Sequence, residues 1–233
     1  MLETLREFHA RVDGFQRDSL PHAGGLTTKP LLVEKVAPDG TLLPFFGNTM
    51  IFDLAADAQL AIARMQLLLH HRCAAMLAEP LAPATLHMTL HDLLNGVDAA
   101  ALAEAVHQTG VQAKALLADI RASQLPALHL TSTLAFNMTS GSVALGFAPD
   151  TESDCAQLMA LHARYQAVVA LDYPLTPHVT LAYFRPGSYG PEQLAALADA
   201  LAHINALPKV HITLTAADLH YYRFQDMNTY LRG

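Results

Sequence analysis

The sequence predicts an α+β fold with two pseudo-symmetric lobes, mainly antiparallel sheets, outer helices and a central cleft between the lobes. The main observation is a repeat in the layout of the chain. A glycine and a strand, an amphipathic helix, and a strand with His and Thr occur twice in that order. The repeat begins with "GNTMIFDL" at 47–54 and again with "GSVALGFA" at 141–148. Strands and helices also partly alternate along the chain, so an α/β fold with a parallel sheet is the alternative.

The second observation is the spacing of apolar residues, which separates helices from shorter β-rich runs. Helices are predicted at 3–17, 56–78, 98–119, 152–170 and 191–204. Strands are predicted at Leu31–Val36, Thr49–Leu54, Thr85–His91, Leu128–Asn137, Ser142–Phe147, His178–Phe184, Lys209–Leu214 and Leu219–Phe224. Asp39-Gly40 and Gly47-Asn48 are turn signals between the first two strands. We expect an N-terminal helix and extension over 1–45, followed by a single bilobal domain over 46–233.

Composition narrows the classes of partner. The 233 residues are 52% hydrophobic, which is enough for a sizeable core. The net charge of -7 and the lack of a Lys/Arg block argue against a long nucleic acid, whereas a small anionic ligand remains compatible. No apolar run reaches the roughly 18 residues of a membrane span, and the N-terminus does not resemble a signal peptide. We therefore expect a cytoplasmic monomer without a membrane partner, in which Cys73 and Cys155 are buried thiols.

A tetrapeptide, His-x-Thr-Leu, occurs three times, in "LHMTL" at 86–90, "PHVTL" at 177–181 and "VHITL" at 210–214. A random order of the same residues would give about 0.2 copies. Because side chains alternate along a strand, His87 and Thr89 share one face, and His178 and Thr180 share the equivalent face of the second strand. The apolar residues between them anchor each strand in its lobe. The polar pairs are expected to face a common cleft.

Two imidazoles and two hydroxyls in one cleft suit phosphodiester cleavage. A neutral His takes a proton from water or from a ribose hydroxyl, and a protonated His gives one to the leaving oxygen. The Thr hydroxyls donate hydrogen bonds to the non-bridging phosphate oxygens. We therefore predict His87 and His178 as catalytic residues and Thr89 and Thr180 as substrate-binding residues, with no metal and no cofactor. The sequence does not assign which His is the base.

Other residues near the motifs have weaker signals. His91 follows Thr89 on the same predicted face and is a candidate secondary ligand contact, with a solvated strand end as the alternative. Tyr222 is a candidate for base stacking, and Arg223 for phosphate binding. The remaining histidines considered are predicted to be structural or on helix surfaces: His162, His203 and His211.

The paired motifs resemble those of the 2H phosphoesterase superfamily, which includes cyclic phosphodiesterases and the bacterial enzymes called 2'-5' RNA ligases. The Leu before His87, the Pro before His178 and the Ala after "HVTL" are also typical of that superfamily. The resemblance extends from about Asn48 to the C-terminus and implies a bilobal fold whose motif strands line a central cleft. It also implies the same acid/base pair and the same phosphate-holding threonines.

Two further segments, "KVAPDGTLLPFFGNTMIFDL" and "YYRFQDMNTYL", resemble a bacterial and fungal branch of the superfamily whose substrate the sequence does not assign. Residues 1 to about 45 depart from the compact members and could cover or narrow the cleft. The resulting expectation is a metal-independent phosphodiesterase. Its substrate would be a small cyclic phosphate of the 2',3'-cyclic nucleotide type, or a 2'-5' phosphodiester.

Two alternatives remain open at this stage. A metal hydrolase would use His87, His91 and His178 as ligands, although the nearest carboxylate, Asp92, is expected on the opposite face of the strand. A non-catalytic nucleotide-binding module would use the same cleft for recognition alone. Retention or loss of activity in a chelator separates the first alternative from our expectation, and turnover separates the second.

Overall fold

A computed structural model of the chain describes residues 3–22 and 24–233. Met1, Leu2 and Ala23, which belong to the predicted N-terminal extension, lie outside the described residues. The helices are α1 (Leu5–Arg17), α2 (Ala56–Cys73), α3 (Ala99–Ala122), α4 (Glu152–Tyr165) and α5 (Pro191–Asn205). The strands are β1 (Leu26–Thr27), β2 (Phe46–Asp53), β3 (His87–Gly96), β4 (Leu128–Met138), β5 (Ser142–Pro149), β6 (His178–Tyr183), β7 (Ser188–Tyr189), β8 (His211–Leu214), β9 (Leu219–Asp226) and β10 (Thr229–Arg232).

The strands form two four-stranded sheets, one in each lobe. The first sheet has the order β10-β9-β2-β3 and the second has the order β6-β5-β4-β8, while β1 and β7 form a short separate pair. All of these pairings are antiparallel within the described part of the chain. The predicted α+β class and the antiparallel sheets are confirmed, and the parallel-sheet alternative is wrong.

The predicted repeat is also present in three dimensions. The units β2-α2-β3 and β5-α4-β6 each join two neighbouring antiparallel strands through a helix. β2 and β5 are interior strands and are buried along nearly their whole length, which explains their almost continuous apolar sequences. β3 and β6 lie at the sheet edges and alternate at first between buried and half-buried residues. The repeat therefore places the two motifs on equivalent edge strands.

The N-terminal residues are packed into the main core. Phe8, Val12, Leu32 and Val36 are at most 1% exposed and belong to the same apolar cluster as the sheet residues. Fully burying one such side chain contributes about 1.5–3 kcal/mol. β1 pairs with β7, which ties this segment to the region that follows β6. The division at residues 45 and 46 stays a prediction.

Three local differences from the predicted elements have simple causes. The segment predicted as a strand at Leu31–Val36 is wrong, because Pro30–Glu34 forms a 3-10 helix. Proline at its first position has no N–H for a strand ladder and has a φ suited to a helix start. The Asp39-Gly40 turn is confirmed with Gly40 at φ +95, but it closes only a single bridge between Val36 and Leu42. The turn predicted at Gly47-Asn48 is wrong, because both residues lie within β2 and pair with β3 and β9.

The third difference is β10, which the sequence prediction missed together with the two-residue strands β1 and β7. The backbone N–H of Asn228 and the hydroxyl of Thr229 both bond to the carboxylate of Asp226, and this turn reverses the chain onto β9. Both cysteines are buried free thiols, as predicted. Among the residues that the structure describes, no helix combines the length and apolar character needed to cross a bilayer.

Candidate active site

The two motif strands have the same pattern of burial. β3 and β6 are the edge strands through which the two sheets approach each other. In both strands the first four residues alternate, with His and Thr half-buried and the residues after them buried. His87 and Thr89 therefore share one face of β3, and His178 and Thr180 share the equivalent face of β6. These shared faces are as predicted from the sequence.

Each motif strand also carries a β-bulge at the same place. The register shifts at Leu90, between the partners of Thr89 and His91, and it shifts again at Leu181, between the partners of Thr180 and Ala182. A bulge adds one residue and exchanges the two faces of the strand beyond it. The motif leucine is thus the point at which each strand reverses its alternation.

The bulges change which residues follow the motifs on the cleft face. His91 is 1% exposed and packs against the ring of His162 at 4.8 Å between centroids. The prediction that His91 shares a face with His87 and Thr89 is therefore wrong, and this removes it from the cleft. Asp92 is half-buried on the face where the motif residues lie, so its predicted position on the opposite face is also wrong.

Asp92 and Tyr183 occupy equivalent positions, each five residues after its motif histidine. The Tyr173 hydroxyl donates a hydrogen bond to Asp92 Oδ2 at 3.1 Å. The Thr180 hydroxyl lies beside that of Tyr183. The cleft therefore has one acidic and one phenolic group in addition to the predicted imidazoles and hydroxyls.

The bulged leucines are held by helices of the opposite halves of the repeat. Gln66 of α2 donates from Nε2 to the carbonyl of Leu181 at 3.0 Å, and His162 of α4 donates from Nδ1 to the carbonyl of Leu90 at 3.0 Å. Both side chains are buried, so the prediction that His162 lies on a helix surface is wrong. A buried carbonyl without a hydrogen-bond partner destabilises the fold. These two bonds give the carbonyl of each bulged leucine a partner from the other half of the repeat.

Both motif imidazoles have the same orientation. His87 Nδ1 lies 2.6 Å from the carbonyl oxygen of Thr85, and His178 Nδ1 lies 2.7 Å from the carbonyl oxygen of Thr176. A carbonyl oxygen only accepts hydrogen bonds, so Nδ1 carries a proton in each ring. In each motif, Nδ1 is thus bound to the carbonyl of the residue two positions earlier, and Nε2 is the ring nitrogen that can exchange a proton with a ligand.

The electrostatics of the cleft favour neutral imidazoles. Burial lowers the pKa of His87 and that of His178, and the bonds to the backbone carbonyls partly oppose this effect. A protonated His178 lowers the pKa of His87 further, so the two rings are close enough to influence each other. The negative charge of Asp92 raises the pKa of both rings. This combination suits a pair in which one ring is neutral and the other is protonated.

An aromatic wall lies beside His87. The ring of Tyr230 meets the imidazole of His87 edge to face at 4.8 Å between centroids, and the ring of Tyr222 lies 6.4 Å from that of Tyr230. The Tyr222 hydroxyl donates to both carboxylate oxygens of Asp53 at 3.1 Å. Tyr222 is thus one ring removed from His87. Tyr230 was missed by the sequence prediction, and the "QDMNTY" turn that brings it back onto β9 was the available signal.

Arg223 does not belong to this wall. It is exposed and lines a separate groove of about 490 Å³ between α3 and the outer face of β9. That groove contains His107 and Lys114, but neither motif histidine borders it. Arg223 therefore lies outside the motif cleft in which the sequence predicts it as a phosphate-binding residue.

The third motif copy lies elsewhere in the fold. β8 is separated from β6 by β5 and β4, a distance of about 14 Å across three strand spacings. His211 Nδ1 lies 2.9 Å from the Thr131 hydroxyl on the neighbouring strand. This position is consistent with the prediction that His211 has a structural role and no catalytic one.

The set of ligands proposed for a metal hydrolase is not assembled. His91 is buried against α4, whereas His87 and His178 are half-buried on the faces that their motif threonines share. Within residues 3–22 and 24–233, no group of three or more His, Cys, Asp and Glu side chains is arranged to hold a metal ion. The exchange of faces at the β3 bulge is the physical reason that His91 does not converge with the other two.

Comparison with known proteins gives matches only among solved structures. No family profile and no curated protein matches the chain. A conserved protein of unknown function from Agrobacterium tumefaciens str. C58 aligns with a TM-score of 0.64 at 18% identity, over 96% of this chain and 97% of its own. E. coli LigT in apo form aligns with a TM-score of 0.45 at 17% identity, over 82% of this chain and 96% of its own.

A protein from Thermus thermophilus aligns with a TM-score of 0.45 at 16% identity, over 79% of this chain and 93% of its own. Structures of E. coli LigT with NADP+, ATP, 3'-AMP and phosphate are also among the matches. The Agrobacterium structure shows that this chain has the bilobal α+β fold of that protein. The resemblance of the paired motifs to those of the 2H phosphoesterases stays an interpretation of the sequence.

Proposed function

We propose that this protein is a metal-independent phosphodiesterase that acts on a small cyclic phosphate of the 2',3'-cyclic nucleotide type, or on a 2'-5' phosphodiester. The observation that carries the proposal is the pairing of His87 with His178. Both rings donate from Nδ1 to a backbone carbonyl, which leaves Nε2 without that bond, and the two rings are near enough for the charge of His178 to act on His87. Two imidazoles in the same tautomer, each followed by Thr on its own strand, form a symmetric acid/base site.

The chemistry follows from these groups. With a cyclic substrate, the neutral imidazole removes a proton from water as the water oxygen bonds to phosphorus. The bond from phosphorus to the ribose oxygen breaks, and the imidazolium protonates that oxygen, so the product is a phosphate monoester. Thr89 and Thr180 donate hydrogen bonds to the non-bridging oxygens, whose negative charge increases in the transition state. Each proton transfer supplies about 10² to 10⁴ in rate.

The surroundings of the site favour a small nucleotide-like substrate. The chain has a net charge of -7, which disfavours a long polyanion. Tyr222 and Tyr230 give the cleft an aromatic wall on which an organic group of the substrate can pack. We propose that the protein acts as a monomer, in the cytoplasm, without a metal ion or cofactor.

The test is hydrolysis of 2',3'-cyclic mononucleotides and a 2'-5' dinucleotide in excess EDTA. Wild type, His87→Ala and His178→Ala are compared, with His211→Ala as the matched control because it removes the histidine of the third motif copy. We expect turnover by wild type and by His211→Ala, and a loss of at least about a hundredfold in the other two variants. Circular dichroism and thermal unfolding confirm that the variants are folded.

Three outcomes would count against the proposal. Activity that vanishes in EDTA and returns with a metal ion would indicate metal chemistry. Saturable nucleotide binding without turnover of any substrate would indicate a recognition module. Equal losses in the His211→Ala control would indicate that the effect does not come from the paired site.

A further inference from the structure

A lysine from the N-terminal segment reaches the end of the motif cleft. Lys35 directly follows the 3-10 helix at Pro30–Glu34, and its side chain is half-buried. Its Nζ lies 4.6 Å from the ring centroid of Phe45 and 5.9 Å from that of Tyr183. Tyr183 is the residue on the cleft face of β6 beyond the second motif. The segment outside the motifs thus brings a cation to the cleft.

This ammonium group has no anionic partner in the structure. No residue that the structure describes forms an ion pair with Lys35. Two aromatic rings compensate only in part for the lost hydration of a lysine. Burial lowers the pKa of Lys35, whereas the nearby Asp92 raises it. Asp92 acts on Lys35 only from beyond ion-pair distance, and a desolvated cation without an ion pair is suited to an anion that the ligand supplies.

The position of Lys35 separates it from the reacting phosphate. Along β6, His178 comes first, Thr180 second and Tyr183 third, and Lys35 lies over the ring of Tyr183. Three residues of strand, about 10 Å, separate Thr180 from Tyr183, whose hydroxyl turns back toward that of Thr180. Because the ring of Tyr183 reaches both Thr180 and Lys35, a phosphate held between the imidazoles and the threonines would leave Lys35 to a neighbouring group of the same substrate.

We infer that Lys35 binds a second phosphate group of the substrate, on the far side of the motif threonines from the imidazoles. This inference rests on the proposed function, which assigns the phosphate that reacts between His87 and His178. It narrows the substrate class to nucleotide-like phosphodiesters that carry an additional terminal phosphate. Nucleoside cyclic phosphates without that second phosphate would then be poorer ligands.

The test is ligand binding, measured by calorimetry, so that it does not depend on turnover. The ligands are adenosine 3'-monophosphate and adenosine 3',5'-bisphosphate, which differ by one phosphate. Lys35→Met keeps most of the apolar stem and removes the charge. Lys29→Met is the matched control because Lys29 is an exposed lysine in the same segment. We expect wild type and Lys29→Met to prefer the bisphosphate by at least about tenfold, and Lys35→Met to bind both within about twofold.

The inference is overturned if wild type shows no preference for the bisphosphate, or if Lys35→Met keeps the preference. Equal weakening of both ligands by Lys35→Met would also overturn it, since that pattern indicates general damage to the cleft. If Lys35→Met does not fold, Lys35→Gln is measured against the same criteria. Failure of all hydrolysis would count against the proposed phosphodiesterase, while the binding ratios would still decide the role of Lys35.

Discussion

Gln66 and His162 make equivalent hydrogen bonds across the molecule. Gln66 follows β2 on helix α2 and donates to the carbonyl of Leu181 on β6, while His162 follows β5 on helix α4 and donates to the carbonyl of Leu90 on β3. Each helix therefore holds the bulge in the motif strand of the other half. This exchange links the positions of the two motif strands, and with them the spacing of His87 and His178.

Loss of the Gln66 amide should destabilise the fold. Gln66 Nε2 also donates to the carbonyl of Leu81 at 3.1 Å, so Gln66→Met leaves two buried carbonyls without this donor. We expect the free energy of unfolding to fall by about 1–3 kcal/mol, measured by urea titration. Gln108→Met is the control, because Gln108 is exposed on α3 and its amide bonds to Glu104 one turn away. Equal stability of Gln66→Met and wild type would show that the bond across the halves contributes nothing.

Replacement of Asp92 should move the pH profile of the proposed reaction. The carboxylate of Asp92 raises the pKa of His87 and that of His178, so Asp92→Asn should lower both. Because the acid limb and the alkaline limb each depend on one imidazole, the whole bell-shaped profile of kcat/KM should shift to lower pH. Asp119→Asn, at an exposed position of α3, should leave the profile in place. An unchanged profile in Asp92→Asn, or a shift upward, would contradict the prediction.

The buried His91 should make stability depend on pH. Burial, followed by the charge of His162, lowers the pKa of His91 to about 4. The ring of Tyr165 and the backbone carbonyl of Asp92 also contact the His91 ring. The unfolded chain, with a His pKa near 6.5, binds more protons between these values, so stability rises with pH from about 4 to 6.5. This group accounts for about 3 kcal/mol of that change.

The measurement is urea unfolding at pH 4.5, 5.5 and 7 for wild type and for His91→Met. We expect a flatter pH dependence in His91→Met, because the group that must be protonated on unfolding is absent. His107→Gln, at an exposed position of α3, serves as the control and should keep the wild-type dependence. Parallel pH curves for His91→Met and wild type would assign the dependence to other groups.

Tyr230 should act as a positioning residue for His87. Its ring packs against the imidazole at 4.8 Å between centroids. In Tyr230→Ala this contact is lost, so the His87 ring can rotate away from its orientation toward the cleft. We expect kcat to fall by about tenfold or more with a smaller change in KM, since misplaced catalytic groups reduce the rate of the chemical step. Tyr230→Phe keeps the ring and should remain within about threefold of wild type. A change in KM alone would indicate that Tyr230 acts only through the aromatic wall that the substrate contacts, and not by positioning His87.

Much of the site could be predicted from the sequence because its pattern is local. The alternation of His87 with Met88, and of His178 with Val179, identifies the cleft face of each strand from a period of two residues. The apolar spacing also predicted strands at Thr49–Leu54 and Ser142–Phe147, which overlap β2 and β5. These features depend only on the path of an extended chain and on the hydrophobic effect.

The features of the site that the sequence did not predict depend on contacts between residues that are far apart in the sequence. The bulges at Leu90 and Leu181 arise in the pairing of β3 with β2 and of β6 with β5, and they decide that Asp92 faces the cleft while His91 does not. Lys35 reaches Phe45 and Tyr183 only once the N-terminal segment is packed on the lobes. The sequence by itself determined the class of fold and the paired motifs. The tertiary structure decided which neighbours join them, because a shift of one residue in strand pairing exchanges the two faces of a strand.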